Sequence, residues 1–252
     1  MFIHYRNKGF VLKETEKGET DRVLTIFSQD FGRIEVLAKA IRKMQSKLRA
    51  GIPLFSICEI EFIKGRSYKT LTDAILINDF ENLKKDLERL KIAYKIADVF
   101  IRLVKPPQQD EKIWQLLEET FTALDSSFLP VEATAQPLQA GKFQVSGFMI
   151  YFYFFWRLLA ILGYEPELYS CSNCHRQLKP ENLYFSVKGG IVCESCRREN
   201  ETMTMPIQVD IIKILREISK RNLKELKLIR LDSEHWENLE KVSTFYLASL
   251  LN

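Results

Sequence analysis

The sequence has few of the residues that would place it in several broad protein classes. Five cysteines in 252 residues are too few for a disulfide scaffold, and ten glycines and eight prolines exclude a collagenous or low-complexity chain. The formal net charge of +4 is too small, over the whole chain, to indicate a nucleic-acid binder. With 46% hydrophobic and 28% charged residues, the composition is that of an ordinary globular protein.

Segments that direct a chain into or across a membrane are also lacking. The N-terminus has no basic region followed by an apolar run, so we expect no secretory signal peptide and a cytoplasmic location. The most apolar stretch, Phe148 to Leu162, is interrupted by Arg157 and is shorter than the roughly 20 apolar residues of a membrane span. We therefore expect a core helix that is apolar on all sides, and no membrane partner.

Motifs typical of several enzyme classes are absent. The sequence contains no G-x-x-x-x-G-K loop, no G-x-G-x-x-G and no H-E-x-x-H, and its three histidines are scattered. No His-x-Glu precedes the first cysteine pair, which disfavours a zinc deaminase. The sequence therefore gives no support for an enzyme and predicts no nucleotide cofactor.

The first 80 residues have the pattern of a small β-barrel. Turn-forming stretches separate five β-rich runs, over residues 9–15, 22–28, 33–39, 55–63 and 68–77. Five strands with one long connection, between the third and the fourth, favour an OB-fold. This barrel often binds single-stranded nucleic acid.

The long connection is the most basic part of the chain. Residues 33–49 contain one acidic residue and six basic ones, which on such a barrel could pair with DNA phosphates: Arg33, Lys39, Arg42, Lys43, Lys47 and Arg49. A short basic run is as often only a solvated surface. Phe31 is a possible base-stacking residue, although burial is the more usual fate of phenylalanine.

From about residue 79 onwards the pattern becomes helical. Alternate spacings of four and three residues predict one buried helical stripe formed by Leu83, Leu87, Leu90, Tyr94, Ala97, Ile101 and Val104. Further helices are predicted from Asp110, over roughly 139–162, over 207–219 and over 233–251. The predicted protein is multi-domain α+β, with an OB-fold domain over 1–80 and an all-α domain over 81–252 that is interrupted by a zinc finger over 167–203.

Four of the five cysteines form the strongest site signal. They make two C-x2-C pairs that are separated by 18 residues, namely Cys171 with Cys174 and Cys193 with Cys196. This spacing predicts a structural Zn²⁺ site in which four thiolates fill every ligand position, with iron as the alternative metal. A covalent haem pattern, C-x-x-C-H, is also present at the first pair, but the second pair makes that interpretation unnecessary. We expect Cys58, in a strand pattern, to be buried.

Several short segments occur in a characteristic order. GETDRVLTIFS (residues 18–28) is followed by FGRIEVLAK (31–39) and SKL (46–48), and RLL (157–159) with LGYEP (162–166) leads into the first cysteine pair. Together they resemble the RecO family of bacterial recombination mediators, over nearly the whole chain. One departure is Ala40, where the family usually has glycine. A left-handed backbone there would cost alanine about 1 kcal/mol or more, so we expect the loop to run differently.

The resemblance implies an OB-fold, a helical domain and an inserted zinc finger. It also implies that the protein is not an enzyme, binds single- and double-stranded DNA, anneals complementary strands and, with RecR, helps to load recombinase on DNA coated by single-strand-binding protein (SSB). The implied partners are RecR and the acidic C-terminal tail of SSB. Because some members lack the cysteines, zinc is not essential to the activity of the family in general.

A second basic group lies near the C-terminus. It consists of Lys213, Arg216, Lys220, Arg221, Lys224 and Lys227. Beside an apolar groove this group would suit an acidic partner peptide with an apolar end, although a solvated helix face is at least as common. The alternative function for the whole chain is that of a zinc-ribbon adaptor, which would bind proteins without binding DNA.

Overall fold

The computed structural model describes residues 3–65, 68–126, 144–199, 203–226 and 231–251. The chain divides into two compact units, Met1–Ser126 and Ser127–Asn252. Each unit has its own core and is described separately below.

The first unit contains a closed five-stranded barrel, which confirms the predicted fold class. Its strands are β1 (His4–Lys17), β2 (Asp21–Ser28), β3 (Gly32–Ala38), β4 (Ile57–Lys64) and β5 (Lys69–Asn78). Around the barrel the order is β1-β2-β3-β5-β4, and β1 pairs antiparallel with both β2 and β4. The barrel closes where β3 and β5 run parallel, through the register pairs Val36–Lys69 and Leu37–Thr70.

Alternation along the strands divides their side chains between two buried surfaces. Val11, Ile26 and Ile60 point into the barrel and belong to its interior cluster. Phe10 and Phe27, one residue away from Val11 and Ile26 respectively, therefore face outwards. They are nevertheless fully buried, because helices cover this side of the barrel.

The helices of the first unit are α1 (Leu48–Gly51), α2 (Glu81–Lys85), α3 (Leu87–Leu103) and α4 (Glu111–Ser126). The rings of Phe10 and Phe121 have centroids 4.6 Å apart, and those of Phe27 and Phe100 have centroids 5.1 Å apart. Helices α3 and α4 therefore pack on the barrel, and this compact unit continues to Ser126. The predicted domain boundary at residue 80 stays a prediction.

The predicted seven-residue stripe is wrong in two places. Leu87 is 66% and Tyr94 is 53% exposed, whereas Ile96 and Phe100 are buried. The stripe assumed one continuous helix, but the chain breaks between α2 and α3 at Asp86, which has extended backbone. The Asp86 side chain accepts hydrogen bonds from the N–H groups of the next turn and so begins a new helix whose buried face is rotated.

The second unit contains helices and a small sheet of order β7-β6-β8. Its elements are α5 (Gln144–Ile161), β6 (Leu183–Ser186), β7 (Gly190–Cys193), α6 (Glu194–Glu199), β8 (Thr204–Pro206), α7 (Val209–Lys220), α8 (Leu223–Leu226) and α9 (Ser233–Leu251). Strand β6 lies between the two cysteine pairs.

Helix α5 is the central helix of the second unit, as its sequence predicts. Trp156 stacks on Tyr246 of α9 at 5.8 Å and meets Phe185 of β6 edge-on at 6.1 Å, so the small sheet shares this core. Phe154 and Leu158 are fully buried. Within the described ranges, no helix has the length and apolar character needed to cross a membrane.

The residue after Lys39 has the left-handed backbone that usually favours glycine. Ala40 has a φ of +52°, so alanine adopts here the conformation that its cost led us not to expect. The left-handed conformation costs a residue with a Cβ about 1–2 kcal/mol. The surrounding contacts, described below, compensate for this strain.

We predict that Ala40→Gly raises the free energy of unfolding by about 0.5–1 kcal/mol, because part of the gain is offset by the greater entropy of an unfolded chain with glycine. Chemical denaturation followed by circular dichroism measures this change. Gly18→Ala is the reverse control, since Gly18 has a φ of +62° and a Cβ there would meet no atom within 4 Å. A less stable Ala40→Gly variant would contradict the prediction.

Candidate functional sites: a basic loop and a four-cysteine cluster

After β3 the chain forms the basic loop, residues 39–47. It consists of two successive turns, in which the Lys43 N–H donates to the Ala40 carbonyl at 3.1 Å and the Ser46 N–H donates to the Lys43 carbonyl at 3.0 Å. Ile41 is buried in the barrel cluster and fixes the base of the loop. The loop is therefore ordered by its own hydrogen bonds and by one apolar anchor.

Asp21, at the start of β2, is a second anchor of the loop. Its Oδ1 accepts the Ala40 N–H at 2.8 Å and the Thr20 hydroxyl at 3.0 Å, and the Arg42 N–H donates to the Thr20 carbonyl at 3.0 Å. The Ala40 N–H is the main cause that lowers the pKa of Asp21, followed by the Thr20 hydroxyl, with a smaller effect from Lys39. A negative carboxylate thus fastens a positively charged loop.

Four of the six predicted phosphate ligands lie on this loop with exposed side chains: Lys39, Arg42, Lys43 and Lys47. Arg42 forms an ion pair with Glu16 at 3.4 Å, but the two side chains are 40% and 66% exposed, so the pair is weak. Met44, between these cations, is 95% exposed. The loop thus presents several cations and one apolar side chain to solvent.

Arg33 and Arg49 are not shown to join this group. The Arg33 guanidinium donates to the Ile101 carbonyl, near the end of α3, and burial lowers the pKa of Arg33 while Glu35 opposes this effect. Arg33 thus links a helix to the barrel. The backbone of Arg49 lies in α1, but its side chain lies outside the described part of the chain.

Two further residues on this side of the barrel were missed by the sequence analysis. The Nζ atom of Lys17, at the end of β1, is 3.6 Å from the ring centroid of Tyr68. Its charge, like that of Lys39, lowers the pKa of Asp21. Tyr68 is 37% exposed. Lys17 is remote in sequence from the basic run, so only the pairing of the strands could show that it lies near the basic loop.

Phe31 is partly buried, which is closer to the burial that is usual for phenylalanine than to an exposed base-stacking ring. Its ring packs edge-on against Tyr5 and Phe62, with centroids 5.6 and 5.5 Å apart. These contacts place it against the interior cluster of the barrel. Cys58 is fully buried in the same cluster, as predicted.

In the second unit, four sulfur atoms converge. The Sγ atoms of Cys171, Cys174, Cys193 and Cys196 all lie within 4.8 Å of one another. Those of Cys174 and Cys193 are 3.9 Å apart, close to the roughly 3.8 Å edge of a tetrahedron with 2.3 Å zinc–sulfur bonds. The two pairs that the sequence predicts as one site are therefore together, in a geometry that could hold a metal ion.

Tight turns shape this cluster. The Cys171 N–H donates to the Arg176 carbonyl at 2.9 Å, and the His175 N–H donates to the Cys171 carbonyl at 2.8 Å, with His175 at a φ of +58°. The His175 side chain is exposed and is not part of the sulfur cluster. On the other side, Cys193 ends β7 and Cys196 lies in the short helix α6 that follows.

The surroundings of the sulfurs affect their protonation unequally. The backbone N–H of Arg176 is the main cause that lowers the pKa of Cys174 to about 6, whereas burial raises the pKa of Cys196 to about 12. Four thiolates at these distances repel one another strongly. A bound cation offsets this repulsion and allows all four to be deprotonated together.

Helix α7 carries Lys213, Arg216 and Lys220 of the second basic group, and Arg221 follows its last residue. The members have different environments. Lys213 pairs with Asp210 at 2.9 Å, and Arg221 pairs with Glu217. Arg216 and Lys220 instead contact Tyr169. The Lys224 side chain and the whole of Lys227 lie outside the described residues.

Comparison with known sequences identifies the family. Residues 1–80 match the profile described as "Recombination protein O N terminal", and residues 84–252 match "Recombination protein O C terminal". The chain belongs to the RecO family. This family is one of DNA repair proteins, so a role in DNA repair follows for this member of the RecO family.

Relatives in this family are similar over most of their length. DNA repair protein RecO of Dehalococcoides mccartyi is 30% identical over 237 residues, which are 94% of this chain and 86% of that protein. The RecO protein of Acetivibrio thermocellus is 30% identical over 250 residues, 98% and 92% of the two chains. That of Roseiflexus sp. is 27% identical over 248 residues, 98% and 81%.

We predict that the purified protein carries one metal ion per chain, bound by the four sulfurs. Cys174→Ser should lose most of it, because three thiolates and a hydroxyl make a much weaker site, whereas Cys58→Ala should retain it. Elemental analysis for zinc and iron, without chelator, measures both. Full metal content in the Cys174→Ser variant would contradict the assignment.

Proposed function

We propose that this RecO-family chain is a non-catalytic DNA-binding mediator of recombination. It binds single- and double-stranded DNA, anneals complementary strands and, with RecR, helps to load recombinase on SSB-coated DNA. The observation that carries the proposal is the basic loop, whose exposed cations are held in place by Asp21 and Ile41.

The chemistry of this loop suits phosphates. Each cation that pairs with a phosphate releases a counterion, so several such contacts give a strongly salt-dependent affinity that does not depend on base sequence. Because the loop is already ordered, little entropy is lost when DNA binds. Lys17 extends the surface, and Met44 and Tyr68 supply apolar and aromatic contacts for bases.

Strand annealing follows from the same electrostatics. Two complementary strands repel each other through their phosphates, and a shared basic surface reduces this repulsion. Contacts to phosphates leave the base edges free to pair. The step needs neither a nucleotide nor a catalytic residue.

The metal in this proposal is Zn²⁺, with a structural role. Four thiolates match its preference for tetrahedral sulfur ligands, and no ligand position remains for water or substrate. The cluster ties the turn before β6 to the helix after β7, a region with a small core of its own. Zinc binding stabilises such a region by an amount on the order of 10 kcal/mol.

The proposed protein partners are RecR and the acidic C-terminal tail of SSB. For the tail, the predicted basic group is Lys213, Arg216, Lys220 and Arg221. Asp210 and Glu217 engage Lys213 and Arg221, and the Tyr169 ring engages Arg216 and Lys220. The relatives are bacterial, and we propose that the protein acts in the cytoplasm, at the nucleoid when it binds DNA.

We predict that replacing Arg42, Lys43 and Lys47 together by alanine slows ATP-independent annealing at least tenfold. It should also reduce the slope of log affinity against log salt for single-stranded DNA by about 2, because each lost phosphate contact contributes about 0.7. For the unmodified protein, about four contacts predict a slope near −3. Fluorescence anisotropy and a strand-annealing assay measure both quantities.

The matched control removes three cations from helices of the same unit. Lys85, Lys91 and Arg102 each pair with an acidic residue of their own helix, so their replacement by alanine changes net charge equally but leaves the loop intact. Equal effects of the two triple variants would contradict the site assignment. Capture of a protein partner without DNA binding at low salt would favour the zinc-ribbon adaptor.

A further inference from the structure

An exposed tyrosine is held rigidly just before the first cysteine pair. Tyr169 is 51% exposed, and its backbone N–H donates to Glu167 Oε1 at 2.6 Å, as does that of Ser170 at 3.0 Å. The preceding residue, Leu168, is buried, and its carbonyl accepts two hydrogen bonds from the Arg216 guanidinium. The ring therefore projects from a backbone that is fixed on both sides.

Two cations of helix α7 lie against this ring. The Arg216 Cζ is 4.7 Å and the Lys220 Nζ is 5.1 Å from the ring centroid. Residues four apart share one face of a helix, so both cations approach the ring from the α7 side. Half of Tyr169 nevertheless remains exposed, so part of the ring is accessible to a ligand.

The charges around the ring favour an anionic ligand. The Glu167 carboxylate is engaged by two backbone N–H groups, and Glu217 is engaged by Arg221. Lys220 is exposed and its ammonium contacts the Tyr169 ring. A positive charge therefore lies over a half-exposed aromatic ring.

We infer that Tyr169, Arg216 and Lys220 form a nucleotide-binding platform for single-stranded DNA in the second unit. One base stacks on the exposed part of the Tyr169 ring, and the adjacent phosphate pairs with Lys220. Every base has a π-face, so such a platform tolerates any sequence. This inference extends the proposed DNA binding to a second contact that does not include the basic loop.

A nucleotide fits this platform better than an acidic peptide with an apolar end does. The apolar end of a peptide needs a cavity that surrounds it. A cavity of about 470 Å³ in this unit is lined by other residues, among them Tyr184, Ile207 and Val242. A flat, half-exposed ring with a cation beside it instead matches the shape and charge of one nucleotide.

The test compares variants of the full chain for binding of a fluorescein-labelled oligothymidylate. Tyr169→Ala should weaken binding about tenfold at both low and high salt, because stacking is not electrostatic, and should leave the salt slope unchanged. Tyr169→Phe keeps the ring and should bind within twofold of the unmodified protein. Lys220→Ala should reduce the slope by about 0.7. Tyr169→Leu, which preserves an apolar contact with α7, replaces the alanine variant if the latter does not fold.

The outcomes separate this inference from the proposed function. If Tyr169→Ala or Tyr169→Leu binds DNA normally and the basic-loop variant binds it more weakly, the platform is overturned but the proposed function of the basic loop is not. If the Tyr169 variants lose binding of an acidic peptide but keep DNA binding, the platform is also overturned and the surface is assigned to a peptide. If the basic-loop variant binds DNA normally and the Tyr169 variant binds it more weakly, the result supports the platform and contradicts the assignment of DNA binding to the basic loop.

Discussion

The carboxylate of Asp21 is the constraint on which the arrangement of the barrel surface depends. The chain leaves β3 at Ala38 and must turn away from the barrel before it returns through α1 to β4. The hydrogen bond from the Ala40 N–H to Asp21 holds that turn, with Ala40 in a left-handed conformation that alanine adopts only at a cost. Ile41 then enters the core, and the next residues are presented to solvent. One buried anchor and one acidic anchor thus determine where the basic side chains lie.

The second unit places its charges by another route. Here the position of the backbone depends on the two cysteine turns and on the packing of the small sheet against α5 and α9. Phe185 of β6 touches both Trp156 and Tyr246, so the region around the sulfurs is continuous with the helical core. Arg216 adds a further tie, through the Leu168 carbonyl, to the segment that leads into the first cysteine turn. In this unit a cation serves as a structural link as well as a surface charge.

The sequence predicts those features that depend on local pattern. Strand alternation identifies the barrel, and the C-x2-C spacing identifies the sulfur cluster, because both are governed by residues close together in the chain. Arg33 could not be separated from the loop cations in this way, since its partner is a carbonyl of a distant helix. Nor could Tyr169 be paired with α7, or Lys17 with Tyr68. The exposure of Leu87 was missed because the apolar spacing continues without a break across Asp86, whereas Asp86 caps a new helix there.

The most direct test of this account is the DNA affinity of Asp21→Ala compared with that of Glu16→Ala. Each variant removes one negative charge near the basic loop, so electrostatics alone predicts tighter binding for both. Asp21 also holds the loop backbone, whereas the Glu16 side chain forms an ion pair with the Arg42 side chain. The account predicts about threefold weaker binding of single-stranded DNA by Asp21→Ala, because the loop must then be ordered on binding, and equal or tighter binding by Glu16→Ala. Binding by Asp21→Ala that is as tight as that of Glu16→Ala, with both variants folded, would contradict it.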